Sequence, residues 1–358
     1  MGVNRLRFWK IGLILLLLVF FSGCSANMPS KTEVSTGEIK DNNIVTVDEF
    51  EIIRKTAHDY LKKEKPITIS ARELYEEFFV KGNQSYYIID IRGNSHFAQA
   101  HIPGSVNIPY ADSWRELSIE LLPKDKKIVI VCYSGHTSSQ TAAFWGMLGY
   151  DAVSLENGMA GWSSLEEVIG STALACEPLN YPLETEQVLA ENYPLPTVYE
   201  GISNPAKLIE KRSEIYLAAN YAPIILAKDL QEALINKNHS DLFLVDVRNG
   251  EHYKRGYISS SINIPLVELV DIENLKKLPP DKKIVLIGYD GHDASQAVRI
   301  LTQLGYNAVA MKDGIRIWNG DEILTGIEAI SCTDIDNLLT EKLNYIPKTD
   351  SAPATCGG

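Results

Sequence analysis

The chain has 358 residues, and its 46 acidic side chains outnumber the 34 basic ones, which gives a formal net charge of −12. A negative charge of this size argues against a nucleic-acid partner and against electrostatic attachment to anionic lipid. The length suits two domains of about 130–150 residues each. A hydrophobic content of 45% is sufficient for their packed cores.

The N-terminal segment resembles a bacterial lipoprotein signal. Three basic residues precede an apolar run at 11–21, and small residues then lead to Cys24. The run is too short for an ordinary membrane-spanning helix. We therefore predict a signal peptide at 1–23, a lipid on Cys24 and a location on the extracytoplasmic side of the cell membrane, with a simple signal peptide or a short anchor as alternatives. The polar stretch 24–45 predicts a flexible tether.

Beyond the tether, the sequence divides into two domains with a proline-rich connection between them. Each domain opens with a predicted helix, around 47–63 and around 205–219. The predicted ranges are 46–177 for the first domain, 178–204 for the linker, 205–345 for the second domain and 346–358 for a flexible tail.

The two domains repeat one another at an offset of 156 positions. Residues 131–137 read VCYSGHT, and residues 287–293 read IGYDGHD. A fixed offset that holds over about a hundred residues indicates tandem duplication. Tyrosine, glycine and histidine persist in the second copy, whereas Cys132 becomes Gly288. We therefore interpret features that both copies share as fold, and features of the first copy alone as chemistry.

The local pattern around Cys132 predicts a strand, a tight loop and a helix. Residues 128–131 form an apolar, β-branched run typical of a buried parallel strand. Residues 138–148 are rich in helix formers and begin with serine. Each domain is therefore predicted to be an α/β fold, an open and mainly parallel sheet flanked by helices. Such sheets bind ligands at the carboxyl ends of their strands, where Cys132 lies.

Several motifs, in order and spacing, resemble the rhodanese family of sulfurtransferases. The resemblance covers residues 66–165 and, more weakly, 222–320, where the second copy is similar to the inactive rhodanese homology domains. The motifs are Asp90-Ile91-Arg92, Phe97, His101-Ile102-Pro103-Gly104-Ser105, the loop CYSGHTS from Cys132 and Gly158-Met159-Ala160-Gly161-Trp162.

The resemblance implies that Cys132 carries a persulfide, which takes sulfur from a small donor such as thiosulfate or 3-mercaptopyruvate. A small-molecule thiol, a protein thiol or cyanide would then accept the sulfur. A curled loop with its backbone N–H groups aimed at the sulfur, at the start of a helix, stabilises an anion there. No metal and no cofactor is predicted. The predicted substrate-binding residues are Tyr133, Ser134, Gly135, His136, Thr137 and Ser138.

The second copy is predicted to be inactive because it lacks the nucleophile and carries Asp290 and Asp293 on its loop, which would repel an anionic donor. Persistence in that copy leaves the roles of two first-copy residues open and bears on a third. His136 is either a residue that orients substrate or a structural one. Arg92 is either functional or part of a structural ion pair, and Tyr133 is explained by packing.

The other cysteines have open interpretations. Cys176 and Cys332 are 156 positions apart, so they occupy equivalent positions after the two domains. A disulfide is permitted outside the cytoplasm, but equivalence in sequence does not place them together. Cys356 is either part of a frayed terminus or a thiol that receives sulfur from Cys132.

Two other functions fit parts of this pattern. Cell-cycle phosphatases and arsenate reductases have a cysteine loop that ends in an arginine, but Ser138 or Ser139 stands at that position here, and serine cannot form a bidentate oxyanion clamp. A non-catalytic binding or redox-sensing module is the other alternative.

Overall fold

The computed structural model describes residues 48–63, 67–170, 172–186, 188–219, 223–236, 240–330, 332 and 335–343. They belong to one compact unit, Thr46–Gly358. The predicted signal peptide, the predicted lipidation at Cys24, the predicted tether and the tail with Cys356 lie outside the described residues. No helix within the described ranges is long and apolar enough to cross a membrane.

The first copy contains a five-stranded sheet in the order β1-β5-β4-β2-β3, with every pair parallel. Its strands are β1 Thr68–Ile69, β2 Tyr86–Asp90, β3 Val106–Asn107, β4 Lys127–Val131 and β5 Ala152–Leu155. Its helices are α1 Glu49–Leu61, α2 Ala71–Tyr75 with a π-helical continuation at Glu76–Val80, α3 Asn94–Gln99, a 3-10 turn at Tyr110–Asp112, α4 Glu116–Glu120, α5 His136–Met147, α6 Gly158–Trp162 and α7 Glu166–Ile169.

The second copy repeats this sheet in the order β6-β10-β9-β7-β8, again parallel throughout. Its strands are β6 Ile224–Ile225, β7 Leu242–Asp246, β8 Ile262–Asn263, β9 Lys283–Ile287 and β10 Asn307–Met311. Its helices are α8 Pro205–Ala218, α9 Ala227–Ile235, α10 Gly250–Arg255, a 3-10 turn at Leu266–Glu268, α11 Ile272–Leu275, α12 His292–Gln303, α13 Gly314–Trp318 and α14 Glu322–Thr325. The predicted α/β architecture of two tandem parallel sheets is confirmed.

Local sequence explains where these elements begin. The side chain of Asp48 caps α1 by accepting the Glu51 N–H at 3.0 Å, as an N-cap residue does. Phe50, Ile53 and Ala57 then recur at helical spacing and are buried. Helix α5 begins two residues before the predicted position 138, because Gly135 adopts a left-handed conformation (φ 88°) and ends the loop at that point.

The two copies share one hydrophobic core, in which α5 packs against α12. The helix that precedes each copy bonds to the other copy. Tyr60 of α1 donates to Gln296 Oε1 at 2.8 Å, and Tyr216 of α8 donates to Gln140 Oε1 at 3.0 Å. These two contacts are equivalent under the sequence offset, so the interface has an approximate two-fold symmetry.

The segments that follow each copy are also exchanged. Residues 172–186 lie on the second copy, where Tyr181 N donates to Trp318 O at 2.8 Å. Residues 335–343 lie on the first copy, where Glu341 forms an antiparallel bridge with His101. The segment assigned to the second domain by sequence thus covers the first.

A disulfide between Cys176 and Cys332 joins the two exchanged segments, with the Cα atoms 5.6 Å apart. The separation lies within the usual range for a disulfide. Equivalent residues meet because they lie close to the axis of the approximate two-fold symmetry. The question that the sequence left open is therefore settled in favour of a bond.

Candidate active site

Cys132 follows the last residue of β4, at the carboxyl edge of the first sheet. It is 1% exposed. The neighbouring strands β2 and β5 flank β4 on both sides, so the sulfur lies at the middle of the sheet edge. This is where parallel α/β sheets bind their ligands.

The loop forms a cradle around the sulfur of Cys132. Gly135 N donates to Cys132 Sγ at 3.1 Å, and Ser138 Oγ lies 3.2 Å from the same atom. Helix α5 starts at the next residue, His136, so its positive end faces the sulfur. A backbone N–H, a hydroxyl and a helix terminus together favour a negatively charged sulfur at this position.

Ser154, on β5, belongs to this site although the sequence interpretation did not include it. Its hydroxyl lies 2.7 Å from Ser138 Oγ and can also donate to Gly135 O at 3.3 Å. The single hydroxyl proton of Ser138 can go to Gly135 O, at 3.0 Å, or to the sulfur. It is available to the sulfur when Ser139 or Ser154 donates to that carbonyl instead. The offset could have revealed this residue, because Ser138 and Ser154 correspond to Ala294 and Ala310.

His136 points away from the sulfur and into the second copy. Its Nε2 accepts the Asp313 N–H at 3.1 Å, and its Nδ1 lies 3.2 Å from Ser134 Oγ. Burial, followed by the influence of His292, lowers the pKa of His136 to about 3, so the ring is neutral near pH 7. Both ring nitrogens have structural partners, which explains why histidine persists in the second copy. A role in binding substrate stays a prediction for both His136 and Ser134.

Tyr133 and Thr137 complete the predicted loop. The Tyr133 ring lies 5.9 Å from the Arg92 guanidinium, and its hydroxyl contacts His96. The second copy repeats the latter contact between Tyr289 and His252. Thr137 is buried in the first turn of α5, where its carbonyl accepts from Thr141. Substrate binding by these two residues stays a prediction.

Arg92 forms the structural ion pair that was one of its two interpretations. It donates to Asp90 Oδ2 at 2.7 Å, and both side chains are buried. Arg248 and Asp246 repeat this arrangement at 2.6 Å. Because a copy without the cysteine retains the pair, the pair supports the fold rather than the chemistry.

The loop of the second copy is filled by one of its own side chains. The Asp293 carboxylate accepts from Tyr289 N at 3.1 Å and from Ala294 N at 2.8 Å. A Cβ atom added to Gly288 would collide with this carboxylate. Burial, and then the charge of Asp290, raise the pKa of Asp293. The acidic group therefore occupies the position that corresponds to the Cys132 sulfur, and its repulsion of an anionic donor stays a prediction.

A second turn, at residues 157–160, forms hydrogen bonds to the backbone of the Cys132 loop. Met159 N donates to Cys132 O at 2.9 Å, and Ala160 N donates to Tyr133 O at 3.0 Å. A Cβ atom on Gly158 would collide with the backbone of Cys132 and Tyr133. The glycine of the family motif is thus required by the close approach of two backbone segments. Within the described ranges, no cluster of histidine, cysteine or carboxylate side chains is arranged to hold a metal ion.

Comparison with known proteins identifies the domain that occurs in both copies. The rhodanese-like domain matches residues 70–165 and again 226–321. The Bacillus subtilis (strain 168) protein YtwF, whose name calls it a sulfurtransferase, is 32% identical over 94 residues, which are 26% of this chain and 87% of that protein. YrkF of the same organism, whose name calls it a sulfur carrier protein, is 28% identical over 168 residues, 46% of this chain and 88% of its own length.

Among solved structures, a rhodanese-related protein from Thermoplasma volcanium is 36% identical, and the alignment covers 26% of this chain and 87% of that one, with a TM-score of 0.23. The two matches to the domain together cover more than half of the chain. The resemblance inferred from the motifs is therefore confirmed. The chain belongs to the rhodanese family and contains the rhodanese-like domain twice.

Proposed function

We propose that this protein is a membrane-anchored, extracytoplasmic sulfurtransferase that moves a sulfane sulfur through a persulfide on Cys132. One observation carries the proposal. Cys132 Sγ lies at the start of α5 and accepts the Gly135 N–H at 3.1 Å, an arrangement that stabilises a thiolate and, after sulfur transfer, a persulfide anion.

The first step is attack of the Cys132 thiolate on the outer sulfur of thiosulfate or on the thiol sulfur of 3-mercaptopyruvate. A new S–S bond forms, and the electron pair of the broken bond leaves with the donor, as sulfite from thiosulfate or as the pyruvate enolate, which takes up a proton, from 3-mercaptopyruvate. Residues 132–138 contain no arginine or lysine. The backbone N–H of Gly135 and the hydroxyl of Ser138 therefore supply the stabilisation on this loop.

The second step is attack of the acceptor on the outer sulfur of the persulfide. A thiolate acceptor becomes a persulfide and cyanide becomes thiocyanate, while the S–S bond breaks and the Cys132 thiolate returns. Cys356 is one acceptor within the chain, because residues 335–343 lie on the first copy and the remaining tail continues from there. A low-molecular-weight thiol or a thiol of another protein is the alternative.

The second copy has no catalytic role in this proposal. It lacks the nucleophile, and its anion position is taken by Asp293. Its contribution is to the shared core and to the contacts between copies.

The membrane anchor is proposed from the order of residues up to Cys24. The disulfide between Cys176 and Cys332 fits an oxidising compartment. Expressed in bacteria, the wild-type chain is expected in the membrane fraction, and Cys24→Ala is expected to lose lipidation and processing at that residue. Identical fractionation of the two proteins would contradict the anchor.

Turnover with thiosulfate and with 3-mercaptopyruvate, measured with cyanide and with a thiol acceptor, tests the sulfurtransferase function. Cys132→Ser is the matched variant, since it replaces one atom in the same cradle. We expect its turnover to fall at least about a thousandfold. Equal turnover of wild type and variant, or no turnover of the wild type with any sulfane donor, would contradict the proposal and favour a non-catalytic module.

A further inference from the structure

The inference below rests on the sulfurtransferase function proposed above. We propose that His292 and Arg316 of the second copy are positioning residues for the Cys132 loop of the first copy. They act through Asn157, which contacts both of them. The inactive copy thereby completes the support of the active one.

Asn157 begins the turn that holds the backbone of the catalytic cysteine. The two residues after Gly158 donate their N–H groups to Cys132 O and Tyr133 O. Asn157 has a left-handed backbone conformation, with φ 56°, which asparagine adopts more readily than most residues. The place of Asn157 therefore determines the place of the turn, and the turn determines where Sγ of Cys132 lies.

His292 holds the backbone of Asn157. The Asn157 N–H donates to His292 Nε2 at 3.0 Å across the interface between the copies. An accepting Nε2 requires the neutral ring with its proton on Nδ1, and Nδ1 lies 3.0 Å from the Asp290 carboxylate. His292 is 1% exposed, so loss of this acceptor would leave the Asn157 N–H without its partner at a buried interface.

Arg316 holds the side chain of the same residue. Its Nη2 donates to Asn157 Oδ1 at 2.8 Å. Asn157 is thus bound at its backbone and at its side chain by two residues of the other copy.

The contacts between the copies are asymmetric at this point. In the reciprocal direction His136 accepts the Asp313 N–H at 3.1 Å, but the first-copy residue equivalent to Arg316 is Ala160. The second copy therefore supplies two contacts to the turn of the active copy, and receives one at its own turn. The additional contact lies on the side of Cys132.

The test uses the full-length chain with variants of the two positioning residues. His292→Leu and Arg316→Met remove the contacts to Asn157, whereas His292→Gln retains an acceptor in place of Nε2. Tyr60→Phe is the control, because it deletes one hydrogen bond between the copies at a distance from the loop. For each protein we would measure kcat and KM with a sulfane donor, the rate of alkylation of Cys132 by iodoacetamide from peptide masses, and Tm.

We expect His292→Leu and Arg316→Met to lower kcat and the alkylation rate about tenfold while KM for the donor changes less than about twofold, because misplacement of a reacting atom reduces the rate of reaction. For His292→Gln and Tyr60→Phe, kcat, KM and the alkylation rate should each stay within about twofold of the wild-type value. Wild-type rates in both His292→Leu and Arg316→Met would overturn the proposal. Equal losses of rate in all four variants, in parallel with their Tm values, would also overturn it. The wild type could transfer no sulfur while Cys132 is still alkylated more slowly in His292→Leu and Arg316→Met than in the other two variants. In that case the proposed function is wrong and the positioning role is retained.

Discussion

The loops 131–138 and 287–294 have nearly the same backbone but surround different side chains. Their glycines, Gly135 and Gly291, have φ angles of 88° and 87°, and each begins a twelve-residue helix. The first loop surrounds the Cys132 sulfur, and the second surrounds the Asp293 carboxylate. The difference teaches that the backbone of the cradle is a property of the fold, and that the sequence decides which side chain fills it.

Introducing the equivalent of the Asp293 carboxylate into the Cys132 loop should have the largest effect on turnover. Thr137 is the equivalent of Asp293, and Thr137→Asp would place a negative group beside Cys132 Sγ, where it opposes both the thiolate and an anionic donor. We expect turnover to fall at least about a hundredfold.

Thr137→Asn is the control, since it has nearly the same size without the charge. It should retain much more activity than the aspartate. Similar losses in both variants would show that the volume at position 137 matters and that the charge does not.

The reverse change should destabilise the second copy. Gly288→Cys places a side chain where Asp293 already lies, and overpacking of this kind costs about 1–3 kcal/mol. Adding Asp293→Thr removes the obstruction, so the double variant should recover most of the free energy of unfolding. Denaturant unfolding checks both values, and an undisturbed Gly288→Cys protein would contradict the view that the cradle is already filled.

Neither variant should become a good catalyst in a Cys132→Ser background. The second loop has Ala294 and Ala310 in place of Ser138 and Ser154, so a new sulfur there would lack its hydroxyl partner. Strong turnover would overturn the distinction between the two loops.

The pH dependence of stability separates His136, at the interface between the copies, from an ordinary surface histidine. The pKa of His136 is lowered in the folded protein to about 3, so the proton binds more readily to the unfolded chain. Its contribution to stability is complete above the unfolded pKa near 6.5 and is lost as the pH falls below that value. Between pH 6.5 and 5 the loss is about 2 kcal/mol.

His136→Gln keeps an acceptor for Asp313 N–H and has no titrating group. The free energy of unfolding is measured by denaturant at pH 6.5 and at pH 5. The decrease between the two pH values should be about 2 kcal/mol smaller for this variant than for wild type. The same pH dependence in both proteins would show that His136 is not the group that responds.

The smallest expected effect concerns the hydroxyl of Ser154. Ser154→Ala makes β5 resemble β10 at this position. It removes the hydroxyl that lies 2.7 Å from Ser138 Oγ and helps the Ser138 hydroxyl to donate to the sulfur. We expect sulfur loading to slow about fivefold, roughly the contribution of one hydrogen bond. Rapid-mixing measurements of sulfite release would detect it, and Ser163→Ala, which removes a hydroxyl bonded to Asn337 away from the loop, should load at the wild-type rate.

The elements around the cysteine were predictable because their causes are local. A β-branched run gives β4, a glycine gives the loop, and the following helix formers give α5. The offset between the copies pointed to Cys132 as the candidate nucleophile, since this position of the shared loop changes from cysteine to glycine.

The contacts between copies were not predictable in the same way. His136 and Asp313 are 177 residues apart, and neither local propensity nor periodicity relates such positions. The exchange of the segments 172–186 and 335–343 also depends on how two finished domains pack. It explains why Cys176 and Cys332 bond, although the sequence showed only that they are equivalent.

The central claim is that the cradle of the first copy holds a persulfide and that of the second does not. The most direct measurement is the mass of the peptides that contain Cys132 and Gly288 after treatment with thiosulfate or 3-mercaptopyruvate, with and without cyanide. The account predicts one additional sulfur atom on the Cys132 peptide, removed by cyanide, and no change on the other. An unmodified Cys132 peptide with every donor would contradict it.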